Sequence, residues 1–219
     1  MIRYEDIIKN DAVRTYIEKA DETLRYIGYT EHSFAHVGLV AHRCRRILET
    51  LGFAERTVEL ACIAAGLHDI GNLINRVEHS QSGAVMAFHL LYEMGMPPNE
   101  IADVIAAIGN HDEGTGVPVS DIAAALILAD KSDVRRSRVR NDDIASFDIH
   151  DRVNYAVTEA ELIINEDRTA IDLFVTVDTR FCNVADYFEI FMARMVLCRR
   201  AAQKLNLKFG LIINHQRMM

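Results

Sequence analysis

The chain has 219 residues, half of them hydrophobic, with a formal net charge of -8 and an isoelectric point near 5.6. That length and composition allow a sizeable buried core and exclude a disordered chain, while the acidic balance argues against partners that need a basic surface, such as a nucleic-acid polymer or an anionic membrane. No apolar run approaches the roughly 18 residues of a membrane span and Met1 to Asp6 carries no signal-peptide core, so a cytoplasmic protein that handles a small molecule is expected.

Apolar positions at Ile7, Ile8, Val13, Tyr16, Ile17 and Leu24 predict a first helix from Tyr4 to about Ile27, ended by Gly28. Thr30 is a candidate N-cap for a second helix, whose stripe of Val37, Val40, Ala41, Cys44, Ile47, Leu48 and Leu51 includes His36 and stops at Gly52. A third helix runs from Ala54 to Asp69 on Val58, Ala61, Cys62 and Ala65. His68 continues that stripe, and Gly71 is expected to close the helix with a positive φ. A fourth helix spans His79 to Met94 before Gly95, Pro97 and Pro98. The fifth begins at Asn99, follows Ile101, Val104, Ile105 and Ile108, and reaches His111. The sixth follows the candidate cap Ser120 on Ile122, Ala125, Leu126 and Ala129, with Asp130 on the same face.

Composition and periodicity change at the basic stretch from Arg135 to Asn141, the best candidate boundary. Residues 1–140 read as a helical domain, and residues 141–219 as a small α+β addition without a motif that gives it a role. Within the addition the patterns predict a short helix around Val153 to Glu159, strands at Glu161 to Ile164 and Ile171 to Val177, a long helix from Asn183 to Leu205 and a last strand from Phe209 to Ile213. The expected fold class is therefore mainly α. The four cysteines, Cys44, Cys62, Cys182 and Cys198, form no Cys-x-x-Cys pair and read as reduced core thiols.

Six polar residues interrupt or end the apolar stripes: His36, His68, Asp69, His79, His111 and Asp130. One such residue is ordinarily a satisfied core histidine. Six from five helices are costly to bury separately, at about 1 to 3 kcal/mol for each unpaired group, and convergence on metal relieves that cost. Imidazole and carboxylate donors without thiolate suit Mn²⁺, Fe²⁺, Zn²⁺ or Ni²⁺.

The run Gly66-Leu67-His68-Asp69-Ile70-Gly71, with His36 in His36-Val37-Gly38 upstream and Asp130 in Ala129-Asp130-Lys131 downstream, resembles the HD-domain superfamily of metal-dependent phosphohydrolases over residues 30 to 135. His79 in Glu78-His79-Ser80 and His111 in Asn110-His111-Asp112 are similar to the further histidines of members that hold two metals. The resemblance implies an HD-type helical core in which His36, His68, Asp69 and Asp130 bind one divalent ion. Asp69 would bridge to a second ion held by His79 and His111. The implied activity is hydrolysis of a phosphomonoester or phosphodiester, a nucleotide above all, by metal-activated water. Lys131, next to a ligand, is a candidate catalytic contact to the substrate phosphate, with Arg135 and Arg138 as weaker candidates and solvated surface charge as the alternative.

Where cyclic-dinucleotide phosphodiesterases of the superfamily carry two consecutive histidines and a Gly-Tyr-Pro, this chain has His111-Asp112 and Gly116-Val117-Pro118, which argues against that substrate. Asp112 reads equally as an oxygen ligand or a solvated carboxylate, and His32, one turn before His36, as a cleft residue or a structural one. Two other functions fit the same residues: a di-iron oxygenase of the superfamily and a non-catalytic nucleotide or metal sensor. A homodimer is compatible with the sequence but not specified by it.

Overall fold

The computed structural model describes residues 1–141 and 143–219. The first expected helix is two: α1, Tyr4–Lys9, and α2, Asp11–Tyr26. Asn10 divides them because its side-chain oxygen accepts from the backbone N–H groups of Ala12 and Val13 while its own backbone is extended, at φ -69° and ψ 126°. A short amide side chain that satisfies the free donors of the next helix competes with continuing the previous one.

Helix α3, Phe34–Thr50, is capped by Ser33 rather than Thr30 and buries His36, Val37, Val40, Cys44 and Ile47 on one face. Helix α4, Glu55–Leu67, is buried along every residue from Leu60 to Leu67 and forms the centre of the bundle, packed against α1 and α3. A short 3-10 turn, Ile70–Leu73, follows it. Helices α5, His79–Glu93, α6, Pro98–Gly109, and α7, Asp121–Lys131, complete the bundle, and α7 is buried from Ile122 to Lys131. Proline at the first position of α6 and Ser120 capping α7 are local reasons for those starts.

The C-terminal part contains α8, Ile149–Ala156, β1, Val157–Ile164, β2, Ala170–Val177, α9, Val184–Lys204, β3, Lys208–Ile213, and a two-residue β4, Gln216–Arg217. Neither the entry of α8 at Ile149 nor the start of β1 at Val157 follows the expected short helix to Glu159; the β-branched Val157 already pairs with Val177 and Glu159 with Thr176 of the next strand. The sheet order is β1-β2-β3-β4. β1 and β2 form an antiparallel hairpin, and β2 and β3 run parallel because α9 supplies the crossover. The small α+β addition on a helical core is thus as the sequence implied.

The addition shares its interior with the bundle. One continuous hydrophobic core runs from Ile63 and Leu128 to Leu162, Tyr187, Met195 and Ile213, with α9 against α7. Strand β1 is an edge strand, and two arginines of α3 occupy its carbonyls: Arg43 donates to Ala160 O at 2.9 Å and Arg46 to Leu162 O. Arg43 also donates to Ser132 Oγ at 3.0 Å, tying the end of α7 to the same joint. Guanidinium groups placed there block an otherwise open pairing edge. All four cysteines are free and buried.

Candidate metal centre

His68 and Asp69 leave the end of α4 in right-handed helical geometry, at φ -60° and -100°. Gly71 does not have the positive φ expected of it; the positive-φ glycines are Gly28, Gly52 and Gly95. It is needed instead for close approach. A Cβ there would lie 2.0 Å from His79 O and 2.5 Å from Gly83 N, so only glycine lets the first turn of α5 press against the turn after α4. That contact brings His79 towards Asp69.

The six residues singled out converge. His36 Nε2 lies 3.3 Å from His68 Nε2 and 3.3 Å from Asp130 Oδ1. Asp69 Oδ2 faces the same point, 3.0 Å from His68 Nε2 and 3.6 Å from His36 Nε2. On the other side His79 Nε2 and His111 Nε2 are 3.2 Å apart, and Asp69 Oδ1 is 3.6 Å from the first and 3.8 Å from the second. One carboxylate therefore turns one oxygen to each of two imidazole pairs. Asp112 stands at the edge, its Oδ1 3.9 Å from His79 Nε2.

The imidazole tautomers are set from behind. His36 Nδ1 donates to Asp133 Oδ2 at 2.7 Å, His68 Nδ1 to Ala65 O at 2.8 Å, His79 Nδ1 to Arg76 O at 3.1 Å and His111 Nδ1 to Ile108 O at 2.6 Å. Because those acceptors have no proton to give, each neutral ring carries its proton on Nδ1 and presents a bare lone pair at Nε2. Lone pairs facing each other across 3.2 to 3.3 Å repel, and a cation between them removes the repulsion. The nitrogen and oxygen donors, without sulfur, fit borderline divalent ions.

The charges agree with this. Burial opposes ionisation of Asp69 and Asp130, yet both carboxyls are held well below the usual carboxylate range, Asp69 by His68 and Asp130 by Lys131, His36 and His68. Burial pushes His79 and His111 down, helped by Arg76 and Lys131 respectively, which keeps both rings neutral. Burial also disfavours the charged form of His68, but Asp69 and Asp130 outweigh it and the pKa is raised.

Lys131 is 5% exposed and its ammonium is occupied, 2.8 Å from Asp130 Oδ2 and 2.7 Å from Glu113 Oε2. Arg135 and Arg138 face away from the centre: Arg135 grips Asp133 through two hydrogen bonds and Arg138 donates to the carbonyls of Glu31 and Asp133. They brace the carboxylate behind His36. Asn72 donates to both the carbonyl and Oδ1 of Asp69, at 2.9 and 3.1 Å, and so orients the shared carboxylate.

A cavity of about 400 Å³ adjoins the centre, lined among others by Tyr29, His32, Arg76, Glu113, His150 and Arg194. His32 belongs to the cleft, its ring 5.4 Å from that of His36. Asp133, Arg76 and Arg194 were not found by sequence reasoning. For Asp133, an aspartate one turn after another at the end of an apolar helix was a usable signal; for Arg194, on α9 in the other half of the chain, there was none.

Residues 33–139 match the family model described as HD domain. The uncharacterized protein MJ1020 of Methanocaldococcus jannaschii is 23% identical over 211 residues, covering 85% of this chain and 79% of that protein. That share of the chain exceeds the HD domain and what precedes it, so the likeness extends into the C-terminal addition. With the histidine and aspartate pairs gathered as described and the family model spanning all six of them, residues 33–139 of the chain form an HD domain.

Proposed function

We propose that the protein is a dinuclear metal-dependent phosphohydrolase acting on a phosphomonoester or phosphodiester, with a nucleotide as the favoured class. The observation that carries this reading is Asp69, whose two oxygens face two separate imidazole pairs. His36, His68, Asp130 and Asp69 Oδ2 would hold one ion, and His79, His111 and Asp69 Oδ1 the other. Two ions bound there supply a hydroxide near neutral pH and offset charge on the phosphoryl oxygens.

The protein's own groups prepare that chemistry. Asp133 and the carbonyls behind His68, His79 and His111 fix the four rings, so no reorganisation is needed when the donors are engaged. Lys131 acts through Asp130 and Glu113, which it holds. Arg76 donates to Asn72 Oδ1 at 3.2 Å and lies 3.3 Å from His79 Nε2, at the mouth of the second pair. An imidazole nitrogen engaged by an ion would no longer accept from it, leaving that guanidinium to face the cavity.

A panel of phosphomonoesters, phosphodiesters and nucleotides, assayed with Mn²⁺, Fe²⁺, Ni²⁺ or Co²⁺, tests the reading. Phosphate or nucleoside release that requires metal and is lost in His68→Ala is expected. Inactivity across the panel, with oxygen consumption by iron-loaded protein, would instead establish the oxygenase reading.

A further inference from the structure

Arg194 reaches the cavity from α9, outside the HD domain. Its Nε donates to Glu113 Oε1 at 3.0 Å and its guanidinium carbon lies 4.9 Å from the centre of the Phe191 ring. These two contacts fix the plane of the group. Both Nη groups have no protein acceptor among the described residues, and the side chain is 27% exposed, towards the cavity. A guanidinium held on one side, with its remaining donors open to the cavity that adjoins the candidate metal centre, matches the forked recognition of a phosphate or carboxylate.

The negative partner does not neutralise it alone. Glu113 is shared between Arg194 and Lys131, and Lys131 in turn meets Asp130, so charges alternate from the candidate metal ligand to the cavity wall. Glu113 divides its carboxylate between two cations, and Arg194 is the cationic end of the chain, with its open donors at the cavity wall.

We propose that Arg194 is a substrate-binding and specificity-determining residue, whose free Nη groups take a phosphoryl oxygen of the anion held at the metal centre. The C-terminal addition thereby completes the site that the HD domain begins. This rests on the phosphohydrolase reading for the identity of the anion. The competing role is purely positional, with Arg194 holding Glu113 and through it Lys131.

The two roles predict opposite behaviour of Glu113→Gln. Inorganic phosphate is titrated calorimetrically into the full-length, Mn²⁺-reconstituted protein, with metal content and melting temperature measured for every variant. If Arg194 binds the anion, Arg194→Gln weakens phosphate binding by roughly tenfold to a hundredfold, the range of a charged hydrogen bond, at unchanged metal content. Arg194→Lys recovers part of the loss, and Glu113→Gln, which frees the guanidinium, binds phosphate as tightly as wild type or more so. Phosphate affinity of Arg194→Gln within twofold of wild type overturns the proposal, as does an equal weakening in Arg194→Gln and Glu113→Gln. Should Arg194→Gln fail to fold, the comparison of Arg194→Lys with Glu113→Gln separates the two roles in the same way. Arg194-dependent phosphate binding in a wild-type protein that hydrolyses no ester supports the anion site and refutes only the hydrolase reading. Hydrolysis by Arg194→Gln with unchanged KM and kcat refutes the anion site and leaves the hydrolase reading in place.

Discussion

Asp69 is the side chain on which both halves of the site depend, since it alone contributes an oxygen to each imidazole pair. Its replacement by alanine should therefore remove both ions, whereas His79→Ala should remove one. Elemental analysis of reconstituted variants checks this; two ions retained in Asp69→Ala would sink the bridging arrangement. Away from the site, titration gives a second residue-level expectation. Burial pushes the Tyr4 hydroxyl up to about 12 and the Cys62 thiol up to about 11, in both cases because the charged form is disfavoured inside the protein. A group whose folded pKa is raised stabilises the fold fully below its unfolded value and loses that contribution as pH climbs through the folded value. Stability should accordingly decline above about pH 9, where a free thiol begins to ionise, through pH 12. Tyr4→Phe, which cannot ionise, should flatten the alkaline part of the melting-temperature profile, and an unaltered profile would show that Tyr4 has no share in it.

At the level of elements, the turn after α4 and the first turn of α5 act as one unit held together by the missing side chain of Gly71. Gly71→Ala places a methyl 2.0 Å from a backbone oxygen, a distance no rotamer relieves, so α5 must move. Overpacking of this kind costs about 1 to 3 kcal/mol. Because α5 begins with His79, the shift should weaken the second ion more than the first, with urea denaturation reporting the energy and metal stoichiometry reporting the selectivity. Equal affinity for both ions in Gly71→Ala would show that the contact does not set the position of His79. The other terminal features are more independent. Asn10 divides α1 from α2 and caps the latter, a local matter with no reach into the centre.

Over the whole molecule, the core passes without interruption from the bundle into the C-terminal addition, and Arg43 links α3, the end of α7 and the edge of β1. A shared interior of this extent should unfold cooperatively, so circular dichroism and tyrosine fluorescence are expected to follow a single denaturant transition. Two separated transitions would mean that residues beyond the HD domain fold as an independent unit. Arg43→Met removes both hydrogen bonds while keeping much of the stem, and should cost about 2 kcal/mol by leaving Ala160 O without its donor and Ser132 Oγ with only its bond to Ala129 O. The midpoint should fall without a change in slope.

The sequence by itself determined the apolar faces of the central helices, because apolar spacing is local: the stripes of α3, α4, α6 and α7 and the histidine or aspartate on each are legible in the chain alone. It also specified the chemistry of the donor set, since residue type alone fixes which ions imidazole and carboxylate prefer. Only the tertiary structure decided how the donors divide. Asp69 turning one oxygen to each pair, His36 leaning on Asp133 across 97 residues and Arg194 meeting Glu113 across 81 are contacts between elements, and no periodicity encodes them. Gly71 marks the boundary between the two kinds of information: its position is read directly from the chain, but a glycine that opens a turn and a glycine that lets two backbones touch are the same letter, and only the neighbour it faces distinguishes them.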